Sequence, residues 1–214
     1  FRSHGEIHGE TKFDAPWKKL EELLQYRWGD LLIYRAMVDS GFNPSKSVSG
    51  VSEDPRSPNK VYDFCRRFRG RVLPAKSWAT RAKPISHAQI DISVNGRKVP
   101  NGLTLYHLDS DFFKSWVYDH LEMEPDDPGR IRLPEDASDD YCRQLVSEVR
   151  TVKKSGKVEW IRLRDNHYLD CLALNAALAH LLNLNLLSEA THDKYRGGAD
   201  RKTDLAELAR SLNG

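Results

Sequence analysis

The chain has 214 residues, and its 33 Lys+Arg against 31 Asp+Glu leave a formal net charge of +2, which excludes a histone-like polycation. With 39% hydrophobic residues and a mean hydropathy of −0.63 it reads as a polar chain that still buries one core. No apolar stretch approaches the ~20 residues of a membrane span. Cys65, Cys142 and Cys171 lie far apart without a CxxC pair, so neither a disulfide scaffold nor a structural zinc site is expected.

Trp17, Leu20, Leu23 and Leu24 recur at helical spacing, with Asp14 as N-cap, Pro16 in the first turn and Gly29 closing the helix. The apolar run Leu31–Val38, ending in Asp39-Ser40-Gly41, reads as one strand buried on both faces. Residues 42–60, rich in Ser and Pro, form a long loop. Val61, Phe64, Cys65 and Phe68 make a helical stripe and Arg71–Lys76 a strand, which together suggest a βαβ unit. Gln89–Val94 alternates into the hairpin turn Asn95-Gly96, Leu103–Leu108 is another strand, and Asp109 or Ser110 caps a helix carrying Phe112, Phe113, Trp116 and Val117. Arg130–Leu133 reads as a short strand, the stretch from Asp139 towards Glu148 as a helix, and residues 149–153 and 157–163 as a hairpin about Ser155-Gly156. A long helix is expected over 166–187, then a linker at Arg196-Gly197-Gly198 and a short terminal helix over 203–212. The class is mixed α/β.

Asp39 stands where an apolar strand ends, and in open α/β sheets ligands gather outside the carboxyl ends of the strands. Asp-Ser-Gly is also ordinary turn composition. Asp170 shares a helical stripe with Leu174, Ala177, Leu178 and Leu181, and a carboxylate on a core-facing stripe needs a compensating group. A helix N-terminus, a buried Arg or a metal ion would serve, so a structural salt bridge and a metal site both fit. His167, one turn earlier, reads on its own as a cap or surface residue. His4 and His8 have helical spacing, but Gly5 and Gly9 argue against a helix and hence against a metal site there. The stretch Gly41–Ser47 lacks the second glycine of a phosphate loop, which speaks against an ATPase site. Arg66, Arg67, Arg69 and Arg71, followed by Lys76, Arg81 and Lys83 with Trp78 among them, form either a solvated face or a set of contacts to a phosphate backbone, with Arg66, Lys76, Arg81 and Lys83 the DNA-binding candidates.

Several segments in order resemble the nuclease domain of phage terminase large subunits, especially the lambda-like GpA type. They are Ala36–Gly41, Val61–Arg66, Val72–Lys76, Leu105-Tyr106 with Lys114, Arg130–Pro134 with Tyr141, Gln144-Leu145 and Glu148, and Trp160 followed by Asn166–Asp170 and Ala176-Ala177. The resemblance covers Trp17 to about Leu182. It implies an RNase H-like mixed sheet flanked by helices over residues 1–187, with 188–214 as a linker and short helical tail. It also implies a metal-dependent endonuclease that cuts concatemeric double-stranded DNA in the host cytoplasm, away from any membrane, with a small terminase subunit and the portal of the procapsid as partners.

The site so implied has three acidic positions on two divalent ions, Mg²⁺ or Mn²⁺. Asp39 matches the second acid and Asp170 the third, and His167 matches an auxiliary histidine that would favour Mn²⁺. The first acid is expected upstream of Phe1, with Glu6 or Asp63 the first alternatives, so residues 1–214 alone are expected to bind one ion weakly and cleave poorly. Two other readings are a non-catalytic DNA- or portal-docking module and an RNase H-like nuclease of the resolvase or transposase kind.

Overall fold

In the computed structural model residues 4–41, 60–94 and 97–184 are described; residues 42–59 of the expected 42–60 loop, the expected turn at Asn95-Gly96 and everything from residue 185, with the expected linker and terminal helix, lie outside the described residues, and Lys60 already belongs to a helix. Helix α1 (Asp14–Gln25) turns Trp17 and Leu24 inward. Its N-cap is Phe13 rather than Asp14; Asp14 sits in the first turn, where a negative charge suits the helix dipole, and accepts from Lys60 Nζ at 2.7 Å.

The apolar run that follows is not one strand. β1 (Arg27–Trp28) and β2 (Leu31–Leu32) pair antiparallel about Gly29, whose φ of +66° suits glycine. This small hairpin leaves Leu31 and Leu32 exposed. The sheet strand proper is β3 (Ala36–Asp39). Helix α2 (Lys60–Arg67) leads to β4 (Val72–Trp78), which runs parallel to β3, so the βαβ unit is present.

β5 (Ile85–Val94) and β6 (Arg97–Asp109) form a long antiparallel hairpin with a register shift at Ile90/Ile92. Gly102 lies against Ile92, where a Cβ would fall 2.5 Å from Cγ1, so no side chain fits. Because β6 also runs parallel to β4, the sheet order is β3-β4-β6-β5. The fold is therefore mixed α/β.

Helix α3 (Ser110–Glu122) follows β6, capped by Asp109, whose Oδ1 accepts from Phe112 N–H at 2.9 Å. Arg130–Leu133 forms no strand; Ile131 N–H donates to His120 O, so the end of α3 takes the bond a sheet partner would have taken. Helix α4 (Asp139–Leu145) precedes the hairpin of β7 (Glu148–Val152) and β8 (Val158–Arg162), and α5 (His167–Leu181) closes the described chain.

Apolar side chains divide between the two faces of the sheet. On one, Phe113, Val117, Tyr141, Leu145, Leu169 and Ala177 pack with Ala75 and Leu108. On the other, Trp17, Leu24, Phe64 and Cys65 pack with Val72, Ile92 and Leu103. Burial pushes the Cys65 thiol up to about 12, as for an inert core sulfur. The result is three layers: α3, α4 and α5 over one face, α1 and α2 over the other.

Candidate active site at the carboxyl edge of the sheet

Of the parallel strands, β4 and β6 end level with one another at Trp78 and Asp109, while β3 ends at Asp39, opposite Ala75, and α5 lies across the side to which Asp39 belongs. A small cleft of about 80 Å³ opens at that edge, lined by Asp39, Ser77, Asp109, Lys114, Asp170 and Leu174 among others. Asp39 and Asp170, far apart in the chain, thus face one space. The Cys171 thiol, next in the chain to Asp170, is raised first by partial burial of the sulfur and then by the charges of Asp170 and Asp39.

Asp39 is exposed and set by its turn. Its Oδ1 accepts from Gly41 N–H at 2.9 Å, and the Ser40 side chain folds inward to donate to Ala75 O at 2.8 Å. A Cβ on Gly41 would fall 3.1 Å from Asp39 Oδ1, so a side chain there would push the carboxylate aside by a few tenths of an ångström. The turn reading and the strand-end reading therefore describe the same residue.

Ala177 and Leu178 of the expected stripe are buried, with Leu169, Leu172 and Ala176, but Asp170 does not join them in the core; its side chain is half exposed on the cleft wall with Ala173 and Leu174. Its compensator is a lysine rather than an arginine. Lys114, buried on α3, brings Nζ to 3.0 Å from Asp170 Oδ1 and 2.7 Å from Glu148 Oε1. Asn166 Nδ2 donates to Glu148 Oε1 at 2.6 Å and to Asp170 Oδ2 at 3.0 Å. Asp109 also lines the cleft, but both its oxygens are taken by backbone N–H groups, of Phe112 at 2.9 Å and of Arg81 at 2.7 Å. It is a structural acid.

His167 is exposed at the first position of α5 and is not among the residues that line the cleft. Glu6 lies near α5, within 3.4 Å of Tyr168 OH, and Asp63 lies on α2; neither lines the cleft. Lys114, Glu148 and Asn166 belong to the family-like motifs, yet sequence alone assigns them no role. One signal is present: Lys114 sits between Phe113 and Val117 on the apolar side of α3, where a lysine needs a buried anion.

The basic run divides. Arg67 pairs with Glu21 at 3.2 Å, Arg69 donates to Gly102 O at 3.1 Å, and Arg71 donates to Ile33 O at 3.0 Å and to Leu24 O, so these three hold the fold together. Arg66 and Lys83 are exposed. Lys76 and Arg81 flank Trp78, 5.0 and 5.6 Å from its ring centre, and the Trp78 indole N–H donates to His107 Nδ1 at 3.0 Å. Since that nitrogen accepts, the neutral His107 ring carries its proton on Nε2. Partial burial and the charges of Arg81 and Lys76 hold its pKa below the usual histidine value. Ser77, between Lys76 and Trp78, faces the cleft, so by strand alternation Lys76 and Trp78 point to the opposite face of β4, and the cluster stands across the sheet from the cleft at the same end of the strand.

Open carboxylates from a strand end and a helix thus converge at the carboxyl edge of an α/β sheet, a place where such folds gather ligands. A family model for the endonuclease domain of the terminase large subunit gpA matches residues 2–193, a range that takes in every described element. The chain belongs to this family of genome-packaging endonuclease domains. No curated protein and no solved structure matches it. Among the described residues no helix is long and apolar enough to cross a membrane.

Proposed function

We propose that the cleft between Asp39 and Asp170 is the nuclease site, that it works with a divalent ion, and that it cuts concatemeric double-stranded DNA as a terminase does, on an RNase H-like sheet. The observation that carries this reading is the convergence of a strand-end acid and a helix acid on one cleft at the carboxyl edge of parallel strands. Four carboxylates, Asp39, Asp109, Asp170 and Glu148, stand against the single ammonium of Lys114, which leaves an excess of three formal negative charges at and behind the cleft. The open donors are carboxylate oxygens, the ligand type of Mg²⁺ and Mn²⁺.

Among the described residues no three His, Cys, Asp or Glu side chains form a ready metal cage. The donors fit one hard divalent ion held by Asp39 and Asp170, with water and DNA phosphate completing its shell, as Mg²⁺ sites commonly do. When bound, such an ion supplies positive charge for the oxyanions that develop as a phosphodiester is hydrolysed. The chain's own groups do the rest. The Asp39 turn fixes one carboxylate at the strand end, while Lys114 and Asn166 restrain the other. Lys76, Arg81 and Lys83 then hold the DNA backbone from the other face of the same sheet edge, with Arg66 as a further contact on α2.

In a plasmid-nicking assay the protein is expected to nick slowly with Mn²⁺, as the expected lack of a first acid implies, and to stop when EDTA is added, and Asp39→Asn and Asp170→Asn are expected to remain folded without nicking. Metal-independent cutting, or full activity in either variant, would overturn the assignment. One observation favours a non-catalytic docking module, the Lys114–Asp170 ion pair at 3.0 Å, which gives Asp170 a purely structural partner. That reading expects metal-free DNA binding with no cutting by the wild type.

A further inference from the structure

Glu148 is a buried carboxylate behind the cleft. Its side chain is 4% exposed, against 50% for Asp170, and it is not a lining residue. Its backbone is held too: Tyr118 OH donates to Glu148 O at 2.7 Å and accepts from Glu148 N–H at 3.3 Å. Both donors on its Oε1, Lys114 Nζ and Asn166 Nδ2, reach on to Asp170, one to each oxygen.

Asn166 gives an independent sign that this network matters. It occupies the N-cap of α5, where an Asn side chain ordinarily accepts from the first free N–H groups, yet it makes no cap bond. Its amide is turned instead to the two carboxylates, and Gln144 Oε1 accepts the Tyr168 N–H of that first turn at 3.4 Å.

We propose that Glu148 is a positioning residue: acting through Lys114 and Asn166, it fixes the direction in which Asp170 presents its carboxylate to a divalent ion. This rests on the metal-dependent reading above. A half-exposed Asp on the first turn of a helix has rotamers to lose when it binds an ion. A partner that restrains it beforehand removes that loss, as outer-shell groups do at metal sites. Glu148 also shares the ammonium of Lys114, which would otherwise lie against Asp170 alone and oppose an incoming cation. The inner carboxylate, two donors and the outer carboxylate form a closed ring.

The test is a double-mutant cycle of Glu148→Gln and Asp170→Asn in the full chain. It is read by Mn²⁺ affinity, by the melting temperature without metal, and by DNA binding in EDTA. Glu148→Gln is expected to weaken Mn²⁺ binding about tenfold, to leave DNA binding in EDTA unchanged, and to alter Mn²⁺ affinity less than about twofold once Asp170 is already Asn. The two metal-free melting shifts are expected not to add. Additive effects on either readout would overturn the proposal.

A wild-type protein that binds no Mn²⁺ would sink the metal-dependent reading, and additivity in the metal-free melts would then decide the Glu148 ring by itself. Should Glu148→Gln fail to fold, Asn166→Ala, which keeps the Lys114–Glu148 pair, is expected to weaken Mn²⁺ binding in the same direction. Unchanged affinity there would equally overturn the proposal.

Discussion

Asp39 carries two tasks on one carboxylate. One oxygen closes the turn onto Gly41 N–H while the side chain remains exposed to the cleft. Asp39→Asn keeps an acceptor oxygen for the turn and removes only the charge, so its stability should stay within about 0.5 kcal/mol of wild type while Mn²⁺-dependent cutting is lost. Asp170→Asn loses a half-exposed ion pair whose lysine keeps its second partner in Glu148. The expected stability change is at most about 1 kcal/mol, read by denaturant melts without metal. A larger loss would make Asp170 a structural strut. At this scale both acids stand out in the sequence as unusual, because a strand-end Asp and an Asp on an apolar helical stripe are visible in one dimension. The lysine, glutamate and asparagine that restrain Asp170 are not legible there as a site. They come from three separate segments, and only packing brings them to one carboxylate.

Among the elements, the β7–β8 hairpin is held to α3 by Lys114 and Tyr118, which bind Glu148, and by Asp111. Asp111 accepts from Arg150 Nε and Nη2 at 2.8 and 3.0 Å and from Trp160 Nε1 at 2.9 Å. The Arg150 hydrogen bond, partly offset by burial and reinforced by Trp160, holds the Asp111 carboxyl below its ordinary value of 3.8. A depressed carboxyl pKa stabilises the fold in full above the unfolded value, and that contribution is lost as pH falls through the folded value. Asp111→Asn should therefore melt about 3 °C below wild type at pH 7, and the gap should narrow steadily below about pH 4. A gap unchanged down to about pH 2 would show that the charge of Asp111 does not help to hold the hairpin.

The cationic cluster at the end of β4 is a second element-scale case. Replacing Lys76, Arg81 and Lys83 by Ala is expected to weaken DNA binding and to reduce the salt slope of log K by up to about three, roughly one for each phosphate no longer neutralised. An unchanged slope would assign those cations to plain solvation. Hairpins with explicit turn residues, such as Ser155-Gly156, are readable from the sequence. The run Leu31–Val38 is not, because hydrophobicity alone does not reveal that Gly29 folds its first residues back onto β1. Arg67, Arg69 and Arg71 look like phosphate contacts because a sequence does not display the backbone carbonyls and the carboxylate that engage them.

At the scale of the whole molecule, two helical layers bury a short mixed sheet and leave its carboxyl edge open. That edge carries the cleft on one face and the cationic cluster on the other. The layered α/β class follows from alternating strand and helix signals, and the family follows from the order of weak motifs, none of which is specific alone. The strand order has to come from the structure, since β6 passes β5 to pair with β4 and nothing local encodes that choice. The division of labour follows from this plan: rigid strands and α5 present the acids, and the chain end of β4 presents the cations.

The central claim is that Asp39 and Asp170 share a divalent ion. The most direct measurement is the anomalous scattering of a crystal soaked in Mn²⁺, with an Asp39→Asn crystal treated in the same way as control. The account predicts a peak in the cleft within coordination distance of both carboxylates in the wild type, and none in the variant. A wild-type cleft without a peak under conditions that support Mn²⁺-dependent cutting, or a peak bound by neither Asp39 nor Asp170, would contradict it.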